Sequence, residues 1–331
     1  MNNFLKLSKR YTAYLIISYL IIFLILIFYF KISLFNLNIN KIPIRLFVDN
    51  NDIGVYFRSS EWILGKGNLY LDIPSEYPPA ANLLFGFCRF ISTLIKLDNF
   101  TKDPFYSFQI TWFFLGISAW LTIIQKLNKF SFKRQIIKLC WIMPGTLYFS
   151  VYRYDIFPAL FFILSLTNLT TKKPLKSAIY LAIAVALKGY ALFTIPCFFY
   201  FVNFNYGYKK AFKFLIISLL PLLIFNFFTF IVLGKEALES PYKFHLQRSF
   251  NGQSTWDALN LQFIIRKIPY LPTFIILIFS VISYFQKPRH IDQLANSCLL
   301  VVTGFVSALL FYSPQFYLWI LATSSFSRNK T

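Results

Sequence analysis

The sequence predicts an all-α polytopic membrane protein, on three observations. Hydrophobic residues make up 57% of the 331 residues, 42 of them phenylalanine, more apolar surface than a soluble core of that length would hide. The mean hydropathy is +0.58, and the apolar residues fall into runs, several near the ~20 residues that a helix needs to cross a bilayer. The basic residues behind the net charge of +21 sit in short clusters between those runs, as loop lysines and arginines of a membrane protein do.

The elements follow in order. After Lys6, Lys9 and Arg10 an apolar run covers residues 11–32. It is too long for a signal-peptide core and lacks a small-residue cleavage site, so a retained first span is expected. Residues 33–77 form the longest polar stretch and hold five of the twelve acidic residues: Asp49, Asp52, Glu61, Asp72 and Glu76. Apolar segments follow at 78–97, 105–127, 136–150, 156–169, 178–187, 190–204, 211–233, 268–285, 294–312 and 316–322. The expectation is a single membrane-embedded domain over residues 1–331, held in the bilayer by roughly nine or ten of these eleven segments, the last being a short piece. Its parts are the first span, a long first extracytoplasmic loop (33–77), core spans and hairpins (78–233), a second extracytoplasmic loop (234–267) and C-terminal spans (268–331).

Several segments are too short to cross alone. Residues 136–150 and 156–169 read as a hairpin lifting Arg153 and Asp155 to its tip. Residues 178–187 and 190–204 repeat the pattern with Lys188 at the tip. Placing the N-terminus, residues 126–138, 172–176, 209–213 and 287–289 and the C-terminus in the cytoplasm collects eighteen of the thirty-three basic residues there, with Asp292 the one acidic neighbour. That asymmetry obeys the positive-inside rule. It holds if residues 78–97 are re-entrant and fails if they cross fully; both arrangements stay open.

Other classes are disfavoured. No basic arm or nucleic-acid module accompanies the positive charge. Cys88, Cys140, Cys197 and Cys298 lie inside apolar runs without CxxC spacing, as small buried side chains do. No glycine-rich phosphate loop or DxD motif suggests a nucleotide-sugar donor, and no metal is expected, Asp49 and Asp52 alone being a poor ligand set.

The scheme gathers polar groups from distant parts of the chain on the non-cytoplasmic side: Asp49 and Asp52, Glu76 and Tyr77, Arg153 and Asp155, Lys188, His245 and Arg248, Gln253 and Ser254, and Ser313 and Gln315. Ionisable groups at the rim of spans are costly and face a cavity or one another. Each also has a plainer reading: Asp52 as a helix cap, Lys188 snorkelling from a short helix, His245 as an ordinary loop residue. Tyr56, Trp62, Tyr70, Tyr77 and Trp256 could stack on sugar or prenyl groups, or serve as interfacial anchors, the better reading for any one ring.

These residues carry a resemblance. Asp52-Ile53-Gly54-Val55-Tyr56, Gly65-Lys66-Gly67, Tyr70 and Tyr77-Pro78-Pro79 resemble the first-loop pattern of glycosyltransferase family 87. Arg153-Tyr154-Asp155 with Pro158, Lys188-Gly189-Tyr190, His245 with Arg248, Gln253-Ser254, and Ser313-Pro314-Gln315 with Trp319 follow in the family's order. The resemblance covers about residues 49–319. It implies a GT-C-like helical bundle and an inverting transfer of a hexose, mannose in the family, from a polyprenyl-phosphate donor to a glycolipid or glycan acceptor outside the cytoplasm. By position Asp52 would be the general base, with Asp49 as fallback. Asp49, Tyr56, Tyr77, Arg153, Asp155, Lys188, His245, Arg248, Gln253 and Gln315 would bind substrate, Asp155 by holding Arg153 in place or by contacting sugar hydroxyls directly. No cofactor is implied beyond the lipid-phosphate sugar, and the partners are membrane lipid, donor and acceptor, with no nucleic acid. The location implied is a plasma or inner membrane. Family members continue with further spans after the Ser-Pro-Gln segment, so a shorter C-terminal bundle is expected. The rival class is a non-enzymatic transporter or lipid-glycan carrier, which would more often place its charges at the midplane of repeated, broken helices.

Overall fold

Prolines set the starts of many helices, because their missing N–H falls where a helix has no acceptor for it and their φ is already helical. The computed structural model describes residues 50–130, 135–248, 250 and 252–327, and among them the regular structure is helical. The main helices are α1 (Asn50–Ser60), α2 (Pro79–Leu94), α3 (Pro104–Phe130), α4 (Pro144–Tyr152), α5 (Ile156–Thr170) and α6 (Pro174–Leu187). They continue with α7 (Ile195–Tyr206), α8 (Tyr208–Gln247), α9 (Leu271–Phe285), α10 (Ile291–Ala308) and α11 (Tyr317–Ser324). Pro79, Pro104, Pro144 and Pro174 open their helices, and Pro196 and Pro272 take the second position of theirs.

Three of these are long and apolar enough to cross a membrane: α3 over Pro104–Asn128, α8 over Tyr208–His245, and α10. The broken pair α4 and α5 makes a fourth if it counts as one span, and α6 and α9 are apolar but shorter. The protein is therefore an all-α membrane protein over its described residues. The expected first span at 11–32, and Asp49, lie outside them.

Four local outcomes differ from the sequence expectation or decide it. First, α4 and α5 meet at a bend of 109°, so the expected hairpin takes the form of an open elbow with Arg153 and Asp155 at its tip. The tight antiparallel turn comes later, at residues 171–173, where α5 and α6 pack side by side and the Ser165 and Ser177 hydroxyls bond at 2.8 Å.

Second, α2 has 16 residues, about 24 Å at 1.5 Å each, against a hydrocarbon core of ~30 Å. It also carries a buried arginine. Arg89 bonds Glu61 ahead of the helix at 3.2 Å and Asp98 beyond it at 3.0 Å. A full crossing by residues 78–97 is the arrangement for which this helix is too short.

Third, α8 runs on past the residues taken as loop from 234 onward. Gly234 lies at φ 87°, a value that favours glycine, and bends the helix sharply. Beyond the bend the chain is helical again, and it turns back far enough for the Tyr242 hydroxyl to donate to Asn226 Oδ1 at 2.8 Å. Ahead of the bend, Leu223, Phe227, Phe228, Ile231 and Val232 are exposed, as the lipid side of a span would be.

Fourth, Tyr56, Tyr70, Tyr77 and Trp256, read as interfacial anchors or sugar platforms, are interior. The core holds the tryptophans at 112, 120, 141 and 319 with Phe85, Phe162 and Phe198, all at most 1% exposed. Cys88, Cys197 and Cys298 are buried free thiols and Cys140 is half-buried, which fits their expected apolar surroundings.

Close packing places the elbow. A Cβ on Gly116 of α3 would lie 2.4 Å from the Ser150 carbonyl oxygen of α4, so only glycine lets the two backbones meet there. That contact sits three residues ahead of Arg153.

Candidate active site

The site is assembled where α1, the elbow, the α6–α7 break and the turn before α11 converge. Asp52 lies in the first turn of α1, where a carboxylate favours the helix dipole. At the elbow α4 ends and Arg153 is extended, releasing its side chain from the helix register. Arg153 Nη1 forms an ion pair with Asp52 Oδ2, with Asp52 31% and Arg153 13% exposed.

Asp155 turns inward. It is 1% exposed, and its Oδ1 accepts from Trp319 Nε1–H at 2.7 Å and faces Lys188 Nζ at 3.2 Å. Lys188 stands at the break between α6 and the 3-10 turn Gly189–Thr194, with an extended backbone. Its ammonium also lies 4.2 Å from the Tyr154 ring centre and 5.1 Å from that of Trp319, and Tyr190 stacks on Trp319 at 4.8 Å. Cation–π contacts and the carboxylate thus fix a side chain that could otherwise snorkel freely. The expected pairing of Asp155 with Arg153 is replaced by two pairs: Asp155 serves Lys188, and Arg153 serves Asp52.

A third pair forms at the far end of α8. Arg248 Nη1 lies 3.3 Å from Glu76 Oε2, its guanidinium sits 3.7 Å above the centre of the Phe311 ring, and His245 Nε2 is 3.0 Å from the Glu76 carbonyl oxygen.

Behind the pairs lies an aromatic block. Tyr56 stacks on Phe85 at 4.6 Å and packs against Trp112 at 5.0 Å and Tyr77 at 5.5 Å. Its phenol oxygen accepts the Tyr154 N–H at 3.3 Å. Burial pushes the Tyr56 phenol well up, and the negative charges of Asp52 and Asp155 add to this while Arg153 opposes it. Tyr77 is raised as well, first by burial and then by Tyr56, Glu76 and Asp52. Tyr154, between Arg153 and Asp155 and against the Lys188 ammonium, packs on Tyr56 at 5.9 Å and on Tyr77 at 5.1 Å, and Tyr77 follows Glu76, so the three ion pairs lie around one block. Tyr56 and Tyr77, expected to bind substrate, act in this structure as its packed rear wall.

Asn82 pins the Tyr77 segment. Its Nδ2 donates to the Tyr77 carbonyl and the Tyr70 hydroxyl, each at 2.9 Å, and its Oδ1 accepts from Ser75 Oγ at 2.9 Å. Gln253 is exposed ahead of a short helix, Thr255–Ala258, that Ser254 caps. Gln315 is half-buried, and its side-chain oxygen accepts from Ser313 within the same turn.

Sequence reasoning named Asp52, Arg153, Asp155, Lys188, His245 and Arg248, and the structure groups them in or beside these pairs. It missed Tyr154 and Asn82, whose signals were too general to single out, and it gave Glu76 no role of its own. Compared with models of protein families, with curated proteins and with solved structures, the chain gives no significant match.

Proposed function

We propose that this protein is a membrane-embedded inverting glycosyltransferase of the family 87 kind, with a GT-C-like bundle. It would move a hexose, mannose by the resemblance, from a polyprenyl-phosphate donor to a glycolipid or glycan acceptor. The observation that carries the proposal is the meeting of Asp52 with Arg153 beside a second fixed cation, Lys188. One carboxylate next to cations of two kinds is what the chemistry needs. Asp52 takes the proton from the acceptor hydroxyl, and the oxygen attacks the anomeric carbon from the side opposite the phosphate. The bond from that carbon to the phosphate oxygen breaks, and polyprenyl phosphate leaves with the electron pair. Arg153, Lys188 and Arg248 offset the charge that gathers on the leaving phosphate, the arginines through forked hydrogen bonds and the lysine as a point charge.

The orientation proposed is a cytoplasmic N-terminus and an extracytoplasmic site in a plasma or inner membrane. With 78–97 confined to the extracytoplasmic side, the basic clusters of 126–138, 172–176 and 209–213 all fall in the cytoplasm. Reporter fusions at Asn99 and Asn128 check this: Asn99 must report the extracytoplasmic side and Asn128 the cytoplasm, and the reverse would mean that residues 78–97 cross.

The decisive assay is transfer of radiolabelled sugar from polyprenyl-phosphate mannose in membranes, with acceptor supplied. Asp52→Asn is expected to lower transfer by ~10²–10⁴-fold, the usual weight of a general base. Equal transfer by both proteins would remove Asp52 from the chemistry. No transfer by either would favour the carrier or transporter class.

A further inference from the structure

Among the described residues, the charges that line the site come in pairs. Each cation that could take a phosphate is held by a carboxylate: Arg153 by Asp52, Lys188 by Asp155 and Arg248 by Glu76. Among the described residues, an incoming phosphodiester therefore gains one of these three cations as a strong partner only by displacing a carboxylate.

The three pairs differ in what displacement costs. Freeing Asp155 would strand a fully buried carboxylate, and Lys188 is further held by two rings. Uncompensated buried charge is among the most destabilising of changes. Arg248 stays clamped on Phe311 whichever anion it faces, and the Glu76 backbone is separately bonded to His245. Asp52 is different: nearly a third of its side chain is exposed, so water can solvate it once its partner leaves. Arg153 brings a forked guanidinium that a phosphate engages through two hydrogen bonds.

We infer that Arg153 is an exchange residue: it holds Asp52, as in this structure, and turns to the donor phosphate when the donor binds, so that donor binding itself unmasks the base. This rests on the lipid-phosphate reading of the site. No covalent step is involved; one ion pair is traded for another. The donor then precedes productive use of the acceptor, because a carboxylate paired with a guanidinium is a poor proton acceptor. Linkage fixes the companion effect: Asp52 and the phosphate compete for Arg153, so each weakens the other's hold on it.

The test is equilibrium binding of radiolabelled polyprenyl-phosphate mannose to the full chain in lipid nanodiscs, without acceptor. Asp52→Asn should bind the donor about tenfold tighter than wild type, within the usual range of such couplings, while failing to transfer sugar. Asp52→Ser should tighten binding similarly, which guards against a fault particular to one side chain. Arg153→Gln should weaken binding, and adding Asp52→Asn to it should give no further tightening. Donor binding that is unchanged or weaker in both Asp52 variants, with wild type binding, would overturn the exchange and leave the enzyme reading standing. No binding by wild type would overturn both.

Discussion

The backbone N–H of Tyr154 donates to the phenol oxygen of Tyr56 at 3.3 Å, so the elbow between α4 and α5 is tied to the helix that carries Asp52. Residues 98 apart in sequence thereby hold the two members of the Asp52–Arg153 pair at a set separation. Tyr56→Phe keeps the ring packing and removes only the acceptor. It should cost about 1–3 kcal/mol, the cost of leaving a buried donor unsatisfied, measured as a lower unfolding midpoint in detergent. An unchanged midpoint would show that the bond contributes nothing.

Trp319→Phe separates two contributions to Lys188. The substituted ring still stacks, but the N–H given to Asp155 is lost. A hydrogen bond to a charged group contributes about 1.5–3 kcal/mol, so sugar transfer should fall roughly tenfold or more if that carboxylate must be held still. Trp319→Leu should be worse on transfer and on stability, because it also removes the ring from beside the ammonium.

Arg89 offers a test away from the chemistry. It is 3% exposed and bonds both Glu61 and Asp98; without it Glu61 keeps Lys66, and Asp98 loses this partner. Arg89→Met should destabilise by about 3–5 kcal/mol, in the range found for breaking a buried pair from one side. Pairing it with Asp98→Asn should recover part of that loss. Simple additivity of the two in a double-mutant cycle would mean that the pair is not coupled.

Alkaline pH should act through the buried phenols of the first-loop region. Burial raises Tyr56, Tyr70 and Tyr77 above the ordinary value, ~10 in an unfolded chain. A group whose folded value is raised stabilises fully below its unfolded value, and that contribution falls away as pH rises beyond it. Stability should therefore decline above about pH 10, and these three tyrosines should ionise together with unfolding. Tyrosinate absorbance followed beside circular dichroism tests this; ionisation of all tyrosines while the helices persist would refute it.

Much of this was legible in the sequence because it depends on composition over a window. α3 and α10 announce themselves as apolar runs, and the charges at 153, 155 and 188 mark breaks because a membrane helix rarely tolerates them midway. Partnership was less legible. Asp155 is two residues from Arg153 and seemed its natural partner, yet the fold sends one inward to Trp319 and the other toward α1. The helix beyond Gly234 was hidden because Lys235, Glu236 and Glu239 give an exposed helix the composition of a loop. Residues 78–97 could not be decided from their own apolarity, since Arg89 is neutralised by carboxylates that only folding brings near.

The bond from Trp319 to Asp155 also bears on how the protein is made. Its two residues are 164 positions apart in the chain. During synthesis Asp155 and Lys188 enter the membrane long before the indole that completes their surroundings has been translated. The site cannot be completed until α11 has been made, so a chain halted ahead of it would be inserted, largely helical and without its finished centre.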